Sequence, residues 1–145
     1  MSYLLDTNVI SELRKAERAD PNVTAWFADV ADEEIFLSVL TIGEIRRGIE
    51  SVRRRDPDSA AALDRWLALI SEAHGDRVLP IDRAISEEWG RMNVPDPLPV
   101  VDGLLAATAR VLGLTLVTRN VADVEASGVD LFDPFANRAT TRSVG

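Results

Sequence analysis

Four carboxylates, Asp6, Glu44, Asp102 and Asp123, stand at positions where acids can do chemistry. Asp6 directly follows the apolar run Tyr3-Leu4-Leu5. Glu44 falls in the first turn of the helix expected after Ile35-Phe36-Leu37. Asp102 follows the apolar pair Val100-Val101 and opens a helix, and Asp123 comes just after the run Leu114 to Val117 and its turn. In open parallel sheets, ligands bind beyond the carboxyl ends of the strands. The four acids are therefore expected to gather at one edge, each at a strand-to-helix junction. Like charges gathered there resist one another's ionisation, and a divalent cation removes that cost. Oxygen ligands without His or Cys select Mg²⁺ or Mn²⁺ over zinc. Thr7, Asn8, Thr118 and Asn120 bring hydroxyls and amides to the same edge, groups that orient the ligands of a metal.

Each acid also has a plainer explanation. Asp6 and Asp102 fit helix N-caps, the commonest task of an aspartate at a helix start. Glu44 fits a capping box with Thr41, and Asp123 fits a solvated loop. Taken singly these explanations outweigh a metal site, but none of them predicts that the four occur together. Other chemistries are limited by what is missing. There is no cysteine, which excludes disulfides, thiolate metal sites and a cysteine nucleophile. His74 is the single histidine, beside Gly75 in the last turn of an expected helix, so a paired-histidine mechanism is excluded.

The net charge of −8 at first argues against a polyanionic substrate. Its distribution qualifies that. Between residues 44 and 55, five arginines (Arg46, Arg47, Arg53, Arg54, Arg55) accompany only two glutamates. A solvated helix face and its exit loop explain this run as well as phosphate binding does. Apolar residues make up 46% and charged residues 28% of the 145, which places the chain among globular domains. No apolar run is long enough to cross a bilayer, and MSYLLDTN lacks the basic start of a secretory signal. A cytoplasmic protein is expected.

The elements that must position the acids alternate between short β-rich runs and longer helical ones, the mark of an α/β domain with a parallel sheet. Strands are expected at Tyr3-Leu4-Leu5, Ile35-Phe36-Leu37, Arg77-Val78-Leu79, Leu114 to Val117 and Asp130-Leu131-Phe132. Helices are expected over 9–15, from Pro21 onward, and over 41–52, 59–74, 82–92 and 103–112. The spacing of Leu63, Trp66, Leu67 and Ile70 is clearly amphipathic. The sum is one domain over 1–135 with about five strands and helices on both faces. Residues 136–145 are poor in apolar side chains and are expected to form a flexible tail.

These segments resemble the PIN-domain ribonucleases, specifically the toxins of VapBC-type and FitAB-type toxin–antitoxin modules. LLDTNVISEL (4–13), LSVLTIGEIRRGI (37–49), VDGLLAATARVLGLTLVTRN (101–120) and VADVEASGVDLFDPF (121–135) occur in the family's order. The resemblance implies that Asp6, Asp102 and Asp123 are metal ligands and that Glu44 acts directly or through water. Thr118 and Asn120 would orient the site, with Thr7 and Asn8 in the first motif. Val124 departs from the aromatic residue often found after the last acid. The resemblance further implies hydrolysis of RNA by water activated on Mg²⁺, with Mn²⁺ able to substitute, leaving 5′-phosphate and 3′-hydroxyl ends. Arg46, Arg47 and Arg119 are the candidates for holding the RNA backbone. A homodimer is implied, restrained by a small antitoxin that lies in an apolar groove and places a basic side chain among the acids. Trp26, Phe27, Ile45 and Ile49 are candidates for that groove, although plain core is the better explanation of any one of them. DNA binding would belong to the antitoxin.

Two other classes compete. A non-catalytic interaction module could keep the same fold. A metal-dependent phosphatase of the haloacid-dehalogenase type needs D-x-D after the first strand, where this chain has Asp6-Thr7-Asn8. A receiver domain needs a lysine after a later strand, and Lys15 is the only lysine.

Overall fold

The computed structural model describes residues 1–136; the tail assigned to 136–145 lies, apart from Ala136, outside the described residues. Five strands, β1 (Tyr3–Leu5), β2 (Ile35–Ser38), β3 (Val78–Leu79), β4 (Thr115–Val117) and β5 (Leu131–Phe132), form a sheet in the order β3-β2-β1-β4-β5. Every pairing is parallel, with Tyr3 opposite both Ile35 and Thr115. Because successive strand residues face opposite sides, the apolar run of β1 serves two cores. Leu5 packs in one core with Val9, Trp26, Ile35, Leu37, Ile45 and Val117, and Leu4 packs in the other with Leu105, Ala106, Leu116 and Val124.

Helices α1 (Thr7–Leu13), α2 (Pro21–Ala28), α3 (Val39–Arg53) and α4 (Pro57–His74) supply the first core. Helices α5 (Arg83–Met92), α6 (Val100–Leu112) and α7 (Val121–Val124) lie with the second, where α5 packs along α6. The helix starts are dictated locally. Asp20, Ser38, Asp56 and Asp82 each accept a hydrogen bond from a backbone amide of the first turn, and Pro21 and Pro57 occupy first-turn positions. Gly113, at φ +69°, ends α6 in the left-handed conformation that an L side chain resists. Its neighbour Leu114 donates to the Ala109 carbonyl at 2.8 Å.

Two helix starts differ from the sequence reading. Helix α3 begins at Val39 rather than Thr41, because Ser38, the last residue of β2, caps it through Leu40 N. Thr41 is buried inside the first turn and forms no capping box with Glu44; its hydroxyl has no partner among the described residues. Glu44 accordingly sits in the second turn. Helix α6 begins at Val100, capped by Pro99, so Val100-Val101 is helix rather than strand, and Asp102 lies in the first turn after a loop. Asp102 is thus neither an N-cap nor at a strand end.

Candidate active site

The carboxyl ends of β1, β2 and β4 bring three segments to one edge, and hydrogen bonds tie them together. Asp6 leaves β1 with its amide donating to the Val117 carbonyl at 2.9 Å, which locks it beside β4. Its side chain is buried, 6% exposed, and is held from both sides. Thr118 Oγ1 donates to Asp6 Oδ2 at 2.8 Å, and the Thr7 amide donates to Asp6 Oδ1 at 2.6 Å. The N-cap explanation is therefore correct for Asp6, but it does not exhaust the role of this residue.

Thr7 links the first acid to the second: its hydroxyl donates to Glu44 Oε1 at 2.5 Å. Asn8 Nδ2 reaches Asp6 Oδ2 at 3.4 Å and Thr118 Oγ1 at 3.5 Å, while Asn8 Oδ1 accepts from the Arg119 amide at 3.2 Å. The Asn120 amide donates to Thr118 Oγ1 at 2.9 Å. The four polar residues singled out from sequence thus form one network around Asp6, Asn120 through its backbone rather than its side-chain amide. One misplaced strand would dissolve it, because a buried carboxylate that loses its donors bears the full desolvation cost.

Asp102 enters from the other side of β1, on the first turn of α6. A Cβ on the adjacent Gly103 would meet Trp89 Cδ1 and Nε1 at 3.2 Å and Leu98 Cβ at 3.4 Å. The missing side chain therefore lets α6 seat against α5 next to the acid. Asp123 lies on α7, exposed, with its amide on the Asn120 carbonyl at 3.0 Å.

The four acids are coupled through their charges. The Asp102 carboxyl is pushed above its ordinary value by burial first, then by the charges of Asp6, Asp123 and Glu44. Asp6 is also raised, chiefly by burial and further by Glu44; hydrogen bonds from Thr118 and the Thr7 amide pull it back. Each acid is thus felt by another. Their oxygens do not converge as they stand: among the described residues no group of three or more His, Asp or Glu side chains could hold an ion. The donor set nonetheless fits a hard divalent cation. It is all oxygen, and the charges that shift Asp102 are all acidic.

The arginines separate clearly. Arg46 Nη1 donates to Asp64 Oδ1 at 2.7 Å and to Glu50 Oε2 at 3.3 Å, in a network with Arg53 that joins α3 to α4. Arg119 lies with its Cζ 3.8 Å from the centroid of the Phe135 ring. Arg47 is exposed. His74 sits at the end of α4 with Nδ1 2.9 Å from the Ile70 carbonyl oxygen, as its sequence position suggested.

A groove of about 230 Å³ opens beside Glu44, lined by Ile45, Ile49, Val52, Leu63 and Trp66 and reaching Thr7. Ile45 and Ile49 do line a groove, then, while also belonging to the core. Phe27 lines a neighbouring hollow with Leu13, Trp66 and Ile70. Trp26 is core alone, edge-on to Tyr3 with centroids 5.3 Å apart. Sequence reasoning missed Ser38, Trp66 and Arg14, whose Cζ stands 5.8 Å from the Trp66 ring and which borders both hollows. The serine before an apolar helix run was a usable signal for the first. The other two meet only where the C-terminal end of α1 comes beside Trp66 of α4. No helix among the described residues is long and apolar enough to cross a membrane.

Comparison with known proteins agrees with this architecture. The family model of the PIN domain matches residues 3–122. The VapC ribonuclease Y4jK of Sinorhizobium fredii is 34% identical over 91% of this chain and 96% of its own length. Toxin FitB of Neisseria gonorrhoeae is 30% identical over 91% and 97%. In the crystal structure of FitAcB from Neisseria gonorrhoeae, a chain that is 28% identical superposes with a TM-score of 0.85, covering 93% of this chain and 99% of that one. A parallel β3-β2-β1-β4-β5 sheet with acids along its carboxyl edge, matched in sequence and in fold, places this chain in the PIN-domain family.

Proposed function

We propose that this chain is a Mg²⁺-dependent endoribonuclease, the toxin half of a toxin–antitoxin pair acting in the cytoplasm. The observation that carries the reading is Asp102, whose carboxyl is pushed up by burial first and then by the charges of Asp6, Asp123 and Glu44, three acids that the fold brings from separate segments. A fold does not hold such repulsion without use, and PIN-domain relatives are named ribonucleases and toxins.

Asp6, Asp102 and Asp123 would hold the ion, and Glu44 would join them directly or through water. When bound, Mg²⁺, or Mn²⁺ in its place, supplies a water acidified and aligned for in-line attack on a phosphodiester. Thr118 and the Thr7 amide keep Asp6 ionised and pointed, countering the burial that favours its neutral form. The Thr7 hydroxyl fixes one oxygen of Glu44 and leaves the other to act. Added Mn²⁺ should sustain RNA cleavage by the purified chain, and excess EDTA should silence it. Cleavage that persists in chelator, with contaminants excluded, rejects the proposal.

The groove beside Glu44 fits an apolar segment of an antitoxin, with a basic side chain reaching the acids from its Thr7 end. The solved relatives include FitAB and VapBC complexes, some with DNA, and any DNA contact would be the antitoxin's. A homodimer of this chain belongs to the same reading. The lack of convergence favours one second reading, a catalytically silent module that keeps the fold. Such a module would bind neither Mn²⁺ nor RNA.

A further inference from the structure

We propose that Arg47 is the side chain that grips the RNA backbone beside the acids, a role that rests on the ribonuclease reading and that Arg46 and Arg119 do not share. An α-helix turns by about 100° per residue, so Arg46 and Arg47 leave α3 on different sides. Arg46 faces α4, where Asp64 holds it, and it pairs with Glu50 one turn further along α3. Arg47 follows Glu44 by three residues, which makes the two surface neighbours. Glu44 nonetheless forms no ion pair with it, and Glu44 Oε1 accepts from the Thr7 hydroxyl.

Arg119 is committed elsewhere, its guanidinium against the Phe135 ring and its amide on Asn8. Arg53, further along α3, is paired with both Glu50 and Asp64. No ion pair, side-chain hydrogen bond or ring contact joins the Arg47 guanidinium to any other described residue. It is an exposed cation on the helix that carries Glu44, with all five of its N–H donors available. A polyanion approaching an edge built of acids is repelled unless a cation stands there to receive it. The guanidinium fork matches two phosphate oxygens at once, which a lysine cannot do.

The test uses the full chain in an Asp102→Asn background, which removes cutting, and a fluorescein-labelled, mixed-sequence single-stranded RNA followed by anisotropy across a range of salt. Arg47→Ala should weaken binding about tenfold and reduce the salt slope by about 0.7. Arg47→Lys should restore the slope but only part of the affinity. Arg46→Ala should leave both unchanged and lower the melting temperature slightly. Unchanged binding by Arg47→Ala, or an equal loss from Arg46→Ala, overturns the inference while the ribonuclease reading stands. Failure of the parent to bind RNA at all removes the reading and the inference together.

Discussion

The carboxyl edge of the sheet and the seam between α3 and α4 treat charge in opposite ways. At the seam, Arg46 and Arg53 are matched to Asp64 and Glu50, and the pairing draws both acids below their ordinary values. At the edge, Asp6 and Asp102 rise above theirs, and the charges acting on Asp102 are all of its own sign. Both regions hold carboxylates, but only the seam matches them with arginines. The seam ties two helices together. At the edge, burial and like charge both push the carboxyls up, and no ion pair among the described residues offsets them.

The two regions must therefore answer acid in opposite directions. The folded values of Asp6 and Asp102 lie above the ordinary 3.8, so their contribution to stability is full below that pH and is lost as pH rises through the folded values. The folded values of Asp64 and Glu50 lie below 3.8 and 4.5, so their contribution is present above those values and is lost as pH falls through the folded ones. The seam is solvent-exposed, and screening keeps its effect small.

Breaking the edge gives the largest effect. Asp102→Asn should lower RNA cleavage at least about a thousandfold, since a missing ligand removes several kcal/mol from the transition state. The same variant should melt higher than the parent in metal-free buffer at neutral pH, and the two should converge as pH falls towards 3.8. A clear loss of melting temperature would mean that Asp102 acts structurally. Next in size is Thr118→Val, which deprives a buried carboxylate of its 2.8 Å donor. A loss of about 1–3 kcal/mol is expected, read as several degrees of melting temperature, and bound Mn²⁺ should recover part of it. Smallest is Asp64→Asn at the seam. A slight drop in melting temperature that high salt erases, with cleavage untouched, would set the two regions apart; an effect on cleavage would join them.

Much of this was legible in the sequence because the signals were local. The run Tyr3-Leu4-Leu5 ahead of Asp6, the amphipathic spacing from Leu63 to Ile70 and Gly113 after α6 each declare an element within a few residues. The errors arose where local signals compete. Val100-Val101 is β-branched and reads as extended, yet Pro99 starts a helix there because packing on α5, with Gly103 against Trp89, outweighs propensity. The pattern of Thr41 and Glu44 imitates a capping box, but Ser38 had already started the helix. Arg46 and Arg47 are adjacent and chemically identical. What separates them is Asp64, eighteen residues from Arg46 along the chain and brought across only by the α3–α4 pairing. The sequence placed the four acids near one edge of the sheet; that their oxygens do not converge there was not legible in it.

The proposed chemistry stands or falls on these four acids sharing one divalent ion. Calorimetric titration of Mn²⁺ into the parent chain and into Asp102→Asn tests it directly. The account predicts one saturable binding event in the parent, accompanied by a rise in melting temperature, with both lost in the variant. Equal binding by the two chains, or none by the parent, would contradict it.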